Sequence, residues 1–310
     1  MRTYSLRNGC KINLYLKICE RRPDGYHELE SIFLPLKEPS DALEVTLFPS
    51  HASSKGLHVS CDTPGIDPSN NTLTKTYTAY GAATGFRPPL RIFLQKGIPH
   101  GAGLGGGSAN SAVLLQFLQQ LAQGQGFSPL DTAACTRLAA SIGADVPFFL
   151  LNRPALVQGI GEQLREVPPP CPGMHLVLVC PDAHISTAWA FRQLDAARNR
   201  ETEDITHDTD TSPGKKRQKS STDGLTAEHL KDTTPISHGL YLENDFEEVV
   251  FTAFPALFQI WRTLREAGAL SARLSGTGSS LFGLFRNGIS AAQAAERLRS
   301  EGFQVYTYVL

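Results

Sequence analysis

The sequence predicts a two-domain α+β protein, and three observations carry that expectation. At 310 residues the chain is too long for one small core. The run Pro168-Pro169-Pro170-Cys171-Pro172-Gly173 breaks it near the middle and separates residues 1–168 from 173–310. Strand-like and helix-like stretches occur on both sides of that break. In the first half, the apolar run Leu90-Arg91-Ile92-Phe93-Leu94 feeds a glycine-rich stretch that opens a helix.

Taken in order, residues 10–18 alternate. Ile12, Leu14, Leu16 and Ile18 fall on one side and Lys11, Asn13, Tyr15 and Lys17 on the other, as in a half-buried strand. Arg22-Pro23-Asp24-Gly25 reads as a turn, and residues 26–33 as a return to extended chain. Residues 43–47 and 56–60 read as two antiparallel strands, and 71–85 as a helix capped near Asn70 or Asn71. A helix over 112–122 places Ala112, Leu115, Leu118 and Ala122 on one face. A second helix starts at 127–130 and runs to about Ile142, after which the apolar run 143–150 leads into 155–162. Beyond the break, 175–180 reads as a strand. Residues 199–237 lack aromatic residues and are rich in Thr, Asp, Lys, Ser and Glu, which predicts an inserted, disordered surface loop. Its triplet Lys215-Lys216-Arg217 is either a docking patch or, more commonly for such runs, a solvated charge cluster. Order is expected again from Tyr241, with a helix over 255–267, a glycine turn at Ser275-Gly276-Thr277-Gly278-Ser279-Ser280, an apolar strand at 281–285, a helix over 291–301 and a last strand over 304–309.

The stretch Ile98-Pro99-His100-Gly101-Ala102-Gly103-Leu104-Gly105-Gly106-Gly107-Ser108-Ala109-Asn110 holds five glycines within seven positions. Glycine lets the backbone turn tightly and approach a ligand. The helix that follows presents free N–H groups and a partial positive charge to an anion. Ser108 and Asn110 are suited to cap that helix or to face the same ligand. The dinucleotide pattern is met at Gly101, Gly103 and Gly106, but the acidic residue expected about 20 positions on is missing. The Walker pattern lacks its lysine. A plain turn needs one or two glycines, so a ligand-free turn stands as the lesser alternative to a phosphate loop of another kind.

Composition sets limits. With 29 Lys and Arg against 30 Asp and Glu the net charge is −1, so there is no global basic field for nucleic acid or an anionic membrane. The six cysteines form no CxxC and no zinc spacing, which predicts reduced thiols in a cytoplasmic protein without a structural metal. No signal-peptide core opens the chain, and no apolar run approaches the roughly 20 residues of a membrane span.

Two charged residues stand out. Lys11 lies beside Asn13 on the polar side of its strand, where a lysine is most often simply solvated. Asp145 sits in Gly143-Ala144-Asp145-Val146-Pro147 against an apolar run, and a carboxylate buried there requires a partner. Tyr26 and His27 follow the first turn, a place that core and surface residues fill more often than ligands do.

These stretches together resemble the GHMP kinases. The glycine loop looks like the family's phosphate loop, and Ser275-Gly276-Thr277-Gly278-Ser279 fits its C-terminal glycine motif. Lys11-Ile12-Asn13-Leu14, Pro23-Asp24-Gly25-Tyr26-His27 and Gly143-Ala144-Asp145-Val146-Pro147 are similar to the branch that phosphorylates a cytidine-diphosphate-linked methylerythritol in the non-mevalonate isoprenoid pathway. The resemblance implies a ribosomal-S5-like N-terminal domain that binds ATP and a ferredoxin-like C-terminal domain, with the active site in the cleft between them. It implies ATP and Mg²⁺ as cofactors, the metal being held largely by ATP and water, and a small-molecule partner rather than nucleic acid or membrane. It implies Lys11 and Asp145 as the catalytic pair and Pro99 to Ala109 as the ATP loop. Asn13 and His27 become substrate contacts, and Tyr26 and Phe191 aromatic platforms. The family loop usually has a second serine where Ala109 stands, so any hydroxyl contact there would fall to Ser108, backbone and water. The competing readings are a kinase of the mevalonate or homoserine type, a dinucleotide oxidoreductase, and a nucleotide-binding regulatory module without catalysis.

Overall fold

The computed structural model describes residues 1–49, 56–64, 67, 71–207 and 242–310, with the backbone alone over 201–207. It divides into two units. The first comprises Met1–Asn13, Ile18–His100 and Leu104–Pro170, and the second Leu14–Lys17, Gly101–Gly103 and Cys171–Leu310.

The first unit is built on a sheet with strand order β3-β4-β2-β5-β6, and β1 pairs with β2. The strands are β1 (Arg2–Arg21), β2 (His27–Leu47), β3 (Leu57–Cys61), β4 (Leu90–Gln95), β5 (Ala155–Gln158) and β6 (Gln163–Glu166). β2 runs antiparallel to β4, with Val45 opposite Ile92, while β3 runs parallel to β4. Residues 43–47 and 57–61 are thus strands of opposite direction, as expected, but each pairs with β4 and not with the other. Helix α1 (Thr72–Thr84) lies between β3 and β4 and carries the chain back across the sheet, which makes neighbouring strands parallel. Asn71 caps α1 by accepting from Thr74 N, and Gly85 ends it with φ +74°.

Helix α2 (Gly106–Gly124) begins six residues earlier than the periodicity predicts, because its first two turns are glycine and small polar residues that carry no apolar signal. Its apolar face is the predicted one. Ala112, Leu115, Leu118 and Ala122 are buried with Leu73, Tyr77 and Tyr80 of α1 and with Leu43, Val45, Ile92 and Leu94 of the sheet. Helix α3 (Thr132–Ile142) starts at its cap Asp131 rather than at 127. The apolar run after Asp145 is a short helix, α4 (Val146–Leu151), with Pro147 in its first turn.

The second unit is built on the four-stranded antiparallel sheet β10-β7-β9-β8, from β7 (His175–Cys180), β8 (Ser271–Leu274), β9 (Leu281–Phe285) and β10 (Gln304–Val309). Helices α7 (Pro255–Glu266) and α8 (Gly288–Ser300) pack on it. Helix α5 (Thr187–His207) continues through 199–207, so that part of the expected disordered insert is helical, and α6 (Glu247–Ala253) precedes α7. The rest of the insert, including Lys215-Lys216-Arg217, and Tyr241 lie outside the described residues. Of the cysteines, Cys10, Cys171 and Cys180 are buried, Cys61 and Cys135 half-buried and Cys19 exposed. No helix among the described residues is long and apolar enough to cross a membrane.

Candidate active site

The phosphate-loop reading rests on backbone that only glycine adopts without strain. Gly101, Gly103 and Gly105 have φ of +67°, +74° and +72°. Gly105 is the N-cap of α2, and no side chain caps the helix. Ser108 and Asn110, expected as caps, are instead the third and fifth residues of the helix. The first N–H groups of α2, at Gly106, Gly107 and Ser108, thus have neither a carbonyl one turn back nor a cap, which is the arrangement that receives an anion. Ala109 differs from its neighbours. Its N–H bonds to Gly105 O at 2.9 Å and its methyl is buried in the core.

Lys11 lies beside this helix start. Its backbone N–H donates to Leu104 O at 3.0 Å, and a Cβ on Gly105 would come within 3.2 Å of Lys11 Cγ. The expected solvated face of β1 is buried here, with Lys11 4% and Asn13 3% exposed. The Lys11 ammonium donates to Asn13 Oδ1 at 2.5 Å, sits 4.7 Å above the Phe33 ring and is 3.8 Å from Asp145 Oδ2. Burial pushes its pKa below the ordinary lysine value, and the charge of Asp145 opposes that shift in part. Asp145 occupies the N-cap position of α4 but makes no capping hydrogen bond there, so its carboxylate is turned to Lys11. The pair reverses the expected roles: the lysine is the buried member, and the Asp145 side chain keeps 29% of its surface exposed. Ser108 Oγ is 3.7 Å from where a Cβ on Gly143 would stand, which brings this hydroxyl to the segment carrying Asp145.

Asn13 passes the chain of contacts on, donating to Ser31 Oγ of β2 at 3.0 Å. His27, 9% exposed, opens β2 four residues before Ser31, about 13 Å along the strand. The turn ahead of it is clamped by Arg22, which pairs with Asp24 at 2.9 Å and Glu28 at 3.0 Å, while Asp24 accepts from Tyr26 N. That backbone donor, helped by Arg22, holds the Asp24 carboxyl below its usual range. Tyr26 itself is 61% exposed. Phe191 belongs to the second unit, on α5, where its ring meets the buried Phe246 edge-on at 4.9 Å.

Sequence reasoning missed one group and the contacts of another. In the first unit, Asp41, Lys96 and Asn110 form a buried cluster behind the loop. Beside it a cavity of about 370 Å³ is lined by Asn71, Thr72, Lys96, His100, Gly107 and Asn110, and Asn110 Oδ1 is buried with no hydrogen-bond partner. A charged residue immediately after β4 and an acid within the apolar alternation of β2 were the available signals. In the second unit, the glycine turn 275–280 holds residues 101–103. Ser275 Oγ donates to Gly103 O at 3.1 Å and Ser280 N to Ala102 O at 3.1 Å. Asn244 Nδ2 donates to Leu274 O and Gly276 O, both at 2.8 Å, and so fixes the start of that turn.

The model of the GHMP kinases N terminal domain matches residues 71–153, and that of the GHMP kinases C terminal region matches 226–304. The chain is 44% identical over 306 residues to the 4-diphosphocytidyl-2-C-methyl-D-erythritol kinase of Nitratidesulfovibrio vulgaris, covering 99% of this chain and 98% of that protein. A crystal structure of 4-(cytidine 5'-diphospho)-2C-methyl-D-erythritol kinase superposes with a TM-score of 0.70 at 30% identity, covering 98% of both chains. Homoserine kinase from Cytophaga hutchinsonii, at 16% identity and a TM-score of 0.61 over 98% of this chain and 93% of its own, shares the fold. With both halves matched and close relatives along nearly its full length, the chain belongs to the GHMP kinases, a family of small-molecule phosphotransferases, in the branch of the 4-diphosphocytidyl-2-C-methyl-D-erythritol kinases.

Proposed function

We propose that this chain transfers the γ-phosphoryl group of ATP to the 2-hydroxyl of 4-diphosphocytidyl-2-C-methyl-D-erythritol, a step of the non-mevalonate isoprenoid route. The observation that carries the proposal is the Lys11–Asp145 pair standing beside the uncapped start of α2. The relatives' names support the choice of substrate.

Phosphoryl transfer depends mainly on positioning and charge neutralisation. The N–H groups of Gly106, Gly107 and Ser108 hold phosphate oxygens, and the cavity beside Lys96 and Asn110 receives the nucleoside. Asp145 accepts the hydroxyl proton as the oxygen bonds to the γ-phosphorus and the bond to the β–γ bridging oxygen breaks, releasing ADP. General-base help of this kind is worth about 10²–10⁴-fold in rate. Lys11, 3.8 Å from the Asp145 carboxylate, lowers the energy of the developing alkoxide. Among the described residues no group of three or more His, Cys, Asp or Glu side chains is placed to hold a metal. Mg²⁺ carried by the nucleotide would be held by the phosphates and water with the Ser108 hydroxyl at hand, and would supply charge neutralisation at the γ-phosphate. Asn13 and His27, spread along β1 and β2, suit an extended substrate with a diphosphate between its reacting alcohol and its base. Tyr26 offers an exposed ring at the same turn, and Phe191 a second aromatic surface.

ADP release measured with the cytidyl substrate, with mevalonate and with homoserine tests the reading. Turnover with the cytidyl alcohol is expected to dominate. Preferred turnover of either other alcohol would replace the substrate, and ATP binding without turnover on any of them would favour the regulatory module.

A further inference from the structure

The loop is held from behind by a residue that the mechanism above does not use. Asp41, on β2, is fully buried. Its Oδ1 accepts from the backbone N–H of Gly97 at 3.0 Å and of Ile98 at 2.9 Å, the two residues before Pro99. Its Oδ2 accepts from Lys96 Nζ at 2.5 Å and from Asn110 Nδ2 at 2.8 Å. Four donors thus meet one carboxylate, and they come from both ends of the loop: three from the chain entering it and one from the helix leaving it. A buried carboxylate is costly unless satisfied in this way. The backbones touch at the same place, since a Cβ on Gly97 would lie 2.1 Å from Ser40 O. Lys96, its charge balanced by Asp41, holds its Nζ 3.2 Å from where a Cβ on Gly106 would stand, beside the open N–H groups of α2. Its own backbone N–H is tied to Asp62 Oδ1 at 3.0 Å.

We propose that Asp41 is a positioning residue for phosphoryl transfer. Its carboxylate ties both ends of the phosphate loop to one strand of the sheet, so the N–H groups of Gly106–Ser108 and the Lys96 ammonium are in place before ATP arrives. The inference rests on reading this chain as an ATP-dependent kinase. A segment with so many glycines loses much conformational freedom when it orders, and a buried strap charges that loss to folding rather than to binding.

Asp41→Asn keeps the shape but exchanges an acceptor for an NH₂ group. In either orientation that group faces two donors. The readouts on the purified full chain are affinity for the non-hydrolysable analogue β,γ-imido-ATP by calorimetry, KM for ATP, KM for the cytidyl alcohol, and kcat. Analogue affinity and KM for ATP are expected to weaken by about 10-fold or more, with kcat reduced and KM for the alcohol unchanged. A role in folding alone would reduce the active fraction while leaving the folded molecules with wild-type analogue affinity and wild-type KM for ATP, and that result overturns the proposal. If Asp41→Asn does not fold, Asn110→Ala decides, read by calorimetry with inorganic tripolyphosphate, which carries no nucleoside for the Asn110 cavity to receive. The substitution cuts the tie to α2 and leaves the Asp41–Lys96 pair intact, so the same weakening is expected in smaller degree, and wild-type affinity overturns the proposal. A wild-type chain that binds the analogue but does not phosphorylate the cytidyl alcohol defeats the substrate reading, while the analogue titration still decides the role of Asp41.

Discussion

Lys11 is asked to be charged in a place that disfavours charge. Burial lowers its pKa from the ordinary 10.5, and Asp145 restores only part of the loss. Between the lowered value and 10.5 the unfolded chain binds more protons than the folded one, so stability rises with pH across that window. Activity that needs the ammonium falls over the same range. The alkaline limb of kcat should therefore lie below 10.5 while thermal stability climbs. Lys11→Met is expected to remove both trends, with Tm unchanged or higher and turnover lost, because an apolar side chain of similar length replaces a buried charge. Calorimetry and rate profiles over the same pH series check it. Asp145→Asn should abolish turnover with ATP-analogue affinity nearly intact, and near-normal kcat would exclude Asp145 as the base. Both residues were legible in the sequence as candidates, yet with the wrong exposure. A period of two along β1 places Lys11 toward solvent; Phe33 and the loop at Leu104, neither next to it in sequence, are what cover it.

The glycine loop was legible because three of its residues take a backbone conformation that other side chains resist, and that requirement is written in composition. The start of α2 was not, since small polar residues give no periodic signal. Asp41 was hidden for a different reason: its partners Lys96 and Asn110 are 55 and 69 positions away, and a lone acid within an apolar alternation carries no sign of them. The loop glycines are not equal to other glycines of positive φ. At Gly103 (φ +74°) a Cβ would also fall 2.0 Å from Ser275 O, whereas at Gly25 (φ +88°) it would meet nothing within 4 Å. Gly25→Ala should cost about 1–2 kcal/mol from backbone strain alone. Gly103→Ala must also displace the turn at Ser275, and should cost more in unfolding free energy and weaken binding of an ATP analogue. Equal losses at the two positions in denaturant titrations would refute the steric part of the argument.

The cysteines offer a measure of folding across both units. Cys19 is exposed, whereas Cys171 and Cys180 are buried and their thiols are pushed up to about 11. A thiol reagent at neutral pH should modify Cys19 first in the native chain and reach Cys171 and Cys180 only as the second unit opens, because the thiolate is the reactive form. Mass mapping after a short pulse checks the order. The two-domain organisation was read from one proline-rich break, but the return of residues 14–17 and 101–103 to the second unit was not, since short segments leave no compositional mark. One strand links most of what has been described: β2 spans 21 residues, pairs with β1, β4 and β5, and carries His27, Ser31 and Asp41. Its spacing acts as a ruler. Adding one residue between Ser31 and Asp41 would turn over every side chain beyond the insertion and lift Asp41 out of its cluster, although no residue had been replaced. In genetic terms, the codons for the half-buried and exposed positions Ile32, Pro35, Lys37 and Ser40 should accept missense changes, while single-codon insertions and deletions anywhere in 32–40 are rejected, so that length is a heritable constraint beside the identity of the buried Phe33, Leu34 and Leu36.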